Sequence, residues 1–224
     1  MEHPVFVRCY CAPPLNRQEI LRYAGVAIPT AELSALLEEA AQEAEGHLSF
    51  RVCWQEISLP EQEEEPIPGF SLPDSRLLRQ HLPGCHAMVL FAATVGMDFD
   101  RLIARHAKLS PARALMLQAL GAERVEALCD TFCEEIRQQQ EVHGLHTLPR
   151  FSPGYGSLPL TLQKEIFQIL NCSGKIGLTL NDSLLMSPSK SVTAFIGIRT
   201  CPIPAHSGGC KNCAKTDCTF RRNV

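Results

Sequence analysis

Two groups of residues in the last third of the chain have types and spacings that could do chemistry. The first spans residues 150–198. It opens Arg150-Phe-Ser152-Pro-Gly154-Tyr155-Gly156. After a helix-like stretch it continues Asn181-Asp182-Ser183-Leu-Leu-Met186-Ser-Pro188-Ser-Lys-Ser191-Val192. Arg150 is always protonated, and its planar fork suits a carboxylate. Gly154 follows a proline and allows backbone angles and close approaches that other residues do not. Tyr155 offers a ring face for stacking and a hydroxyl for hydrogen bonding. A fixed cation, a permissive backbone and a ring therefore fall within six residues, a combination that suits a charged small molecule carrying a flat ring. Taken alone, the same residues also fit a Pro-Gly turn with the arginine in a structural salt bridge. Asn181-Asp182-Ser183 can cap a helix or a turn, or Asp182 could bind a ligand amine or ribose.

The second group is Cys201, Cys210, Cys213 and Cys218, spaced Cys-x8-Cys-x2-Cys-x4-Cys. Four thiolates suit an iron–sulfur cluster, placed first here, or tetrahedral zinc. The bland alternative is a tail of reduced thiols. Lys211, Lys215, Arg221 and Arg222 would stabilise thiolates or an anionic cluster, and His206 is a spare ligand. The other cysteines, at 9, 11, 53, 85, 129, 133 and 172, are scattered, mostly among apolar residues, and read as buried free thiols.

The chain that must position these groups has 224 residues, 45% hydrophobic and 20% charged. That balance gives a globular protein with a sizeable core. A net charge of -3 gives no electrostatic case for nucleic acid. No apolar run is long enough to span a bilayer. The N-terminus, Met-Glu-His-Pro-Val-Phe-Val-Arg, lacks the features of a secretory signal. The expected location is the cytoplasm, where a disulfide framework is not expected.

Residues 16–25 read as a helix with Asn16 as N-cap and Gly25 as terminator. Residues 30–45 carry apolar side chains at helical spacing. Residues 48–57 alternate as a strand, and 60–73 are an acidic, proline-rich loop. A short helix over 75–80 and a buried strand over 85–95 follow. Helices are expected over 97–108 and 110–140, with Ser110-Pro-Ala-Arg as a start signal and Gly121 as an interruption. Residues 160–170 read as a helix, and 175–180 and 192–200 as strands. Interleaving without a regular βαβ series predicts an α+β fold: one domain over 1–200 with a twisted, largely antiparallel sheet flanked by helices. Residues 201–224 form a short Cys-rich tail.

The combined pattern is more specific than its loop. Arg-x-x-x-Gly-Tyr, then a helix, then acidic-Ser-x-x-Met-x-Pro-x-x-Ser-Val resembles the activation domain of cobalamin-dependent methionine synthase. The residues that match are Arg150, Gly154, Tyr155, Asp182, Ser183, Met186, Pro188, Ser191 and Val192. Cys129-Asp130-Thr-Phe132-Cys-Glu134 resembles the family's preceding helix, with Asp130 and Glu134 as its acidic positions. The resemblance covers residues 110–200 strongly and 1–109 weakly.

The resemblance implies an S-adenosylmethionine site. Arg150 would bind the methionine carboxylate. Backbone around Ser152 and Gly154, with the Tyr155 side chain, would line the nucleoside and sulfonium end. Glu134 and Asp182 would make polar contacts at the rim. The family's N-terminal aspartate beside a tryptophan has no counterpart here, since Trp54 falls in a predicted strand. The sequence also lacks a cobalt-ligating Asp-x-His-x-x-Gly, so cobalamin would come on a partner. That partner would be a cobalamin-dependent methionine synthase lacking its own activation domain, or another corrinoid protein. A flavodoxin-like or ferredoxin-like donor would supply the electron, and the chain would act by positioning methyl against cobalt. The rival expectation is a non-catalytic adaptor that senses S-adenosylmethionine on a corrinoid protein.

Overall fold

A computed structural model of the chain describes residues 4–62 and 64–202. Its main elements are β1 (Phe6–Tyr10), α1 (Arg17–Tyr23), α2 (Ala31–Ala44), β2 (Phe50–Ser58), α3 (Leu72–Gln80), β3 (Cys85–Thr94), α4 (Met97–Leu109) and α5 (Pro111–Val142). They continue with β4 (His146–Thr147), α6 (Gln163–Leu170), α7 (Cys172–Ile176), β5 (Thr179–Leu180), β6 (Met186–Ser187) and β7 (Ser191–Arg199).

The most apolar run in the sequence becomes the middle of a five-stranded sheet of order β1-β2-β3-β7-β4. Every pairing in it is antiparallel. β3 is buried along nearly its whole length because helices cover both of its faces, which is why it is continuously apolar rather than alternating. On one face, Val89, Phe91 and Ala93 pack with side chains of α1, α2, α4 and α5. On the other, Met88, Leu90 and Ala92 pack with α3, α6 and α7. Phe91 and Phe132 are fully buried with ring centroids 4.8 Å apart. Each such ring stabilises the fold by roughly 1.5–3 kcal/mol, so α5 is anchored to the sheet. The fold is the α+β arrangement expected from the sequence.

Helix starts follow the local chemistry. Asn16 and Thr30 accept from the backbone N–H groups of Glu19 and Leu33. Ser71 caps α3, and Pro73 sits in its first turn. That helix therefore begins inside the stretch expected to be loop. Gly121 does not interrupt α5. A Cβ there would lie 2.4 Å from Phe99 Cε1 and 2.9 Å from Lys190 Cγ, so glycine permits close packing against α4 and against Lys190, the residue before β7.

Two further expectations are corrected. Residues 175–180 are not a strand throughout. Asn171, at φ 47°, ends α6, and its side chain caps α7 by accepting from Gly174 N–H, leaving only Thr179–Leu180 as strand. The cysteines also divide: Cys53, Cys129 and Cys172 are buried, Cys85 and Cys133 partly so, and Cys9 and Cys11 are exposed. Strand β1 was unanticipated. It is a short edge strand whose stability comes from Phe6 stacking on Trp54 at 5.5 Å and from Tyr10 donating to Glu135. No helix among the described residues is long and apolar enough to cross a membrane.

Candidate functional site

Arg150 lies on an extended segment that continues the edge of the sheet beyond β4. Leu148 N–H donates to the Gly197 carbonyl, and Phe151 and Phe195 exchange backbone bonds of 3.1 and 2.9 Å. Successive side chains on such a segment point to opposite faces. Phe151 therefore enters the face under α3 and α6, while Arg150 turns toward α5. On α5, Glu126, Asp130 and Cys133 follow one another at helical spacing and meet it. Arg150 Nη2 donates to Glu126 Oε2 at 2.7 Å, and Nη1 donates to Asp130 Oδ1 at 2.5 Å. Nη1 also lies 3.8 Å from Cys133 Sγ.

Burial works against the Arg150 charge, while the Asp130 carboxylate favours it through its charge and its hydrogen bond. Burial also raises the Cys129 and Cys133 thiols, so both are neutral near pH 7. The negative charge facing Arg150 therefore comes from the carboxylates. A guanidinium has five N–H donors, and the two carboxylate contacts leave donors for a ligand.

Beside Arg150 opens a groove of about 490 Å³ lined by Asp130, Cys133, Glu134, Arg137, Thr147, Leu148, Pro149, Arg150 and Ile196. Its volume falls in the range of small-molecule sites, roughly 300–1,000 Å³. Leu148 and Ile196 form an apolar wall, and the α5 groups form a charged one. Glu134 stands at the rim, paired with Arg137 Nη2 at 2.5 Å. Hydrogen bonds from Arg137 and then Gln138 bring its carboxyl down to about 2.

The other residues singled out by sequence lie on two loops. Ser152, Gly154 and Tyr155 form a tight turn, with Gly154 at φ +91°. The Tyr155 N–H donates to the Ser152 carbonyl and the Gly154 N–H to the Leu158 carbonyl, so these two donors serve the turn itself. Tyr155 is 74% exposed. Asp182 is exposed at the tip of the β5–β6 hairpin, where Asn181 Oδ1 accepts from Leu185 N–H. Arg150 and Glu134 thus share the groove lining, while Ser152, Gly154, Tyr155 and Asp182 are outside that lining. Glu126 and Ile196 were missed by sequence reasoning. Glu126 had a visible signal, since it precedes Asp130 by one helical turn. Ile196 had none, because any strand residue of a buried sheet looks the same.

Among the described residues, no group of three or more His, Cys, Asp or Glu is arranged to hold a metal. Of the tail cysteines, Cys201 is exposed, and Cys210, Cys213 and Cys218 lie outside the described residues.

The chain is an antiparallel α+β domain in which two helix carboxylates hold a guanidinium beside an open groove. Residues 61–200 match the family described as vitamin B12 dependent methionine synthase, activation domain. The chain belongs to this family. Among solved structures it is similar to a crystal structure of the MetH reactivation domain bound to AdoHcy, at 16% identity and a TM-score of 0.60. The match covers 88% of this chain and 78% of that one; at this identity the likeness is one of fold. No curated protein matches the sequence.

Proposed function

We propose that the chain binds S-adenosylmethionine in the Arg150 groove and reactivates a corrinoid protein in trans, the partner being a cobalamin-dependent methionine synthase without its own activation domain. The observation that carries this reading is Arg150, braced by Glu126 and Asp130 beside a groove of ligand size, in a chain of the activation-domain family. Arg150 would take the methionine carboxylate with the donors that the two carboxylates leave over. Bracing costs little at the moment of binding, because the guanidinium is already oriented. Leu148 and Ile196 would exclude water from one side. Glu134 would stand at the rim, and the turn at Gly154 and Tyr155 would close the nucleoside end with its ring. Asp182 would contribute from the hairpin.

S-adenosylmethionine supplies an electrophilic methyl group, and the partner's cobalamin, once reduced by one electron, supplies the nucleophile. What this chain adds is orientation and exclusion of water, which need no acid or base. The electron would come from a flavodoxin-like or ferredoxin-like donor. The tail cysteines Cys201, Cys210, Cys213 and Cys218 would hold an iron–sulfur cluster, with zinc as the alternative, on the strength of their spacing alone. The setting would be the cytoplasm.

Calorimetric titration with S-adenosylmethionine should show one site. Anaerobic incubation with a cob(II)alamin-loaded partner and an electron donor should then restore its methylated absorption spectrum. Binding without remethylation would reduce the chain to an adaptor, and absence of binding would remove the site. Electron paramagnetic resonance of the anaerobically purified, reduced protein tests the cluster; a colourless, zinc-only protein sinks it.

A further inference from the structure

The turn that carries Gly154 and Tyr155 is gripped at both ends by one side chain that lies outside the groove. His81 follows α3 as its C-terminal cap, with its N–H donating to the Leu78 carbonyl at 2.9 Å. Its ring stacks on Phe151, centroids 5.2 Å apart and planes 21° apart. Phe151 stacks in turn on Phe195 at 5.3 Å and 22°, and Phe195 packs on Phe70 at 6.0 Å. The same imidazole holds the far end of the turn, with Nε2 hydrogen-bonded at 3.2 Å to the Ser157 hydroxyl. Between these two contacts the backbone passes close to the ring: a Cβ on Gly156 would sit 3.9 Å from His81 Cε1.

Backbone bonds from Gly154 N–H to the Leu158 carbonyl, from Tyr155 N–H to the Ser152 carbonyl and from Leu158 N–H to the Tyr155 carbonyl close the turn, and the buried Pro153 and Leu158 flank it. Gly154, Tyr155, Gly156 and Ser157 are all exposed, and two glycines at positive φ enlarge the disordered ensemble that folding must overcome. Phe151 and Arg150 also project from opposite faces of one extended segment. Seating Phe151 in the ladder therefore fixes the direction in which Arg150 leaves toward Glu126 and Asp130.

We propose that His81 is a positioning residue for the Arg150 groove, ordering the Phe151–Ser157 loop through its stack on Phe151 and its bond to Ser157 without touching the ligand. The proposal rests on the S-adenosylmethionine reading of that groove. A ligand that requires the ordered loop loses affinity in proportion to the fraction of molecules in which the loop is disordered. Loop order and affinity must then fall together.

The test measures two quantities in the wild type, His81→Ala, His81→Phe, Ser157→Ala and the His81→Phe/Ser157→Ala double variant. One is amide hydrogen exchange at Gly154 and Tyr155 in the ligand-free protein, read by NMR. The other is S-adenosylmethionine affinity, read by calorimetry. His81→Ala should lower protection at both amides roughly tenfold, and should lower the affinity by the ratio of the ordered-loop fractions that those protections give. His81→Phe keeps a stacking ring and should recover part of both. Ser157→Ala alters an exposed side chain and should lower both by a smaller factor, yet add nothing on top of His81→Phe, since the bond is already gone. Should His81→Ala fail to fold, the Phe and Ser157 variants carry the same comparison. Unchanged protection and affinity across the set overturns the proposal. Lost protection with unchanged affinity removes the positioning role. A wild type with no affinity would refute the ligand reading, and the exchange data would then judge the loop-ordering claim by itself.

Discussion

Two arginines meet carboxylates of α5, and they do opposite things. Arg124 is 3% exposed and gives four hydrogen bonds: two to its neighbour Glu123, at 2.5 and 2.6 Å, and two to the carbonyls of Pro13 and Pro14, at 2.6 and 2.8 Å. Glu123 also accepts from Asn16 N–H. The pair fastens the segment between β1 and α1 onto α5. Arg150, in contrast, has 19% of its side chain exposed, and its partners Glu126 and Asp130 have 34% and 56%. A cavity is not what separates the two. Arg124 also borders one, of about 370 Å³, lined by Leu15, Leu48, Phe50 and others. The difference lies in the donors. Four of the five donors of Arg124 are spent on the chain itself, while Arg150 keeps donors beside carboxylates that water can still reach.

The comparison breaks most visibly at Arg124. Replacing it with alanine leaves Glu123 as an uncompensated buried charge, which costs about 3–5 kcal/mol. In a chain of this size that lowers Tm by roughly 6–20 °C. Glu123→Leu/Arg124→Met removes both charges and should restore most of the loss. Below its melting temperature Arg124→Ala should bind S-adenosylmethionine like the wild type. Thermal melts and titrations on the same samples check this, and weakened binding would place Arg124 in the site after all.

Arg150→Ala should show the reverse pattern. Loss of a charge-assisted contact costs about 1.5–3 kcal/mol of binding, roughly a tenfold to hundredfold loss of affinity. Stability should change by less than about 1 kcal/mol, because Glu126 and Asp130 rehydrate. Arg150→Lys keeps the charge but not the planar fork and should recover only part of the affinity. An Arg150→Ala protein that melts far below the wild type yet binds normally would make this arginine a second structural one.

Gly154→Ala comes next in size. At φ +91° an alanine is strained, and its Cβ would meet Leu160 Cδ1 at 3.2 Å, so a cost of about 1–2 kcal/mol is expected. The cost should appear as a disordered turn and weaker binding rather than a large fall in Tm.

How much of this was legible beforehand differs between the two arginines. Arg150 stood out because Pro153, Gly154 and Tyr155 follow it and the motif continues to Ser191-Val192. Nothing in the local sequence marks Arg124 as buried, since charged neighbours in sequence do not normally face each other. Its burial depends on Pro13 and Pro14 arriving from more than a hundred residues away, and no local pattern encodes that. The central strands were legible from their apolar runs, whereas β1 was not, because an edge strand has one paired neighbour and few buried positions. Arg150 and Glu134 were recognisable as site candidates. The bracing by Glu126 follows from helical spacing only once the arginine is known to face that helix.

A third cluster grades the comparison further and should give the smallest effect. Glu43 on α2 lies 2.9 Å from His106 Nε2, and it pairs with Arg105 and, at 3.5 Å, with Arg113. These contacts tie α2 to α4 and α5. Hydrogen bonding to His106, followed by the nearby charges, holds the Glu43 carboxyl below its ordinary value of 4.5. A depressed carboxyl contributes stability that is fully present above its unfolded value and is lost as pH falls through the folded one. The wild type should therefore lose this increment below about pH 4.5. Glu43→Gln, lacking the charge, should show a flatter acid limb in urea titrations at successive pH values. Because a quarter of the Glu43 side chain is exposed, added salt should shrink the difference between the two proteins. It should leave the Glu123–Arg124 effect almost untouched, since that pair is sealed from solvent. Equal salt sensitivity at both places would mean that burial is not what makes Arg124 structural.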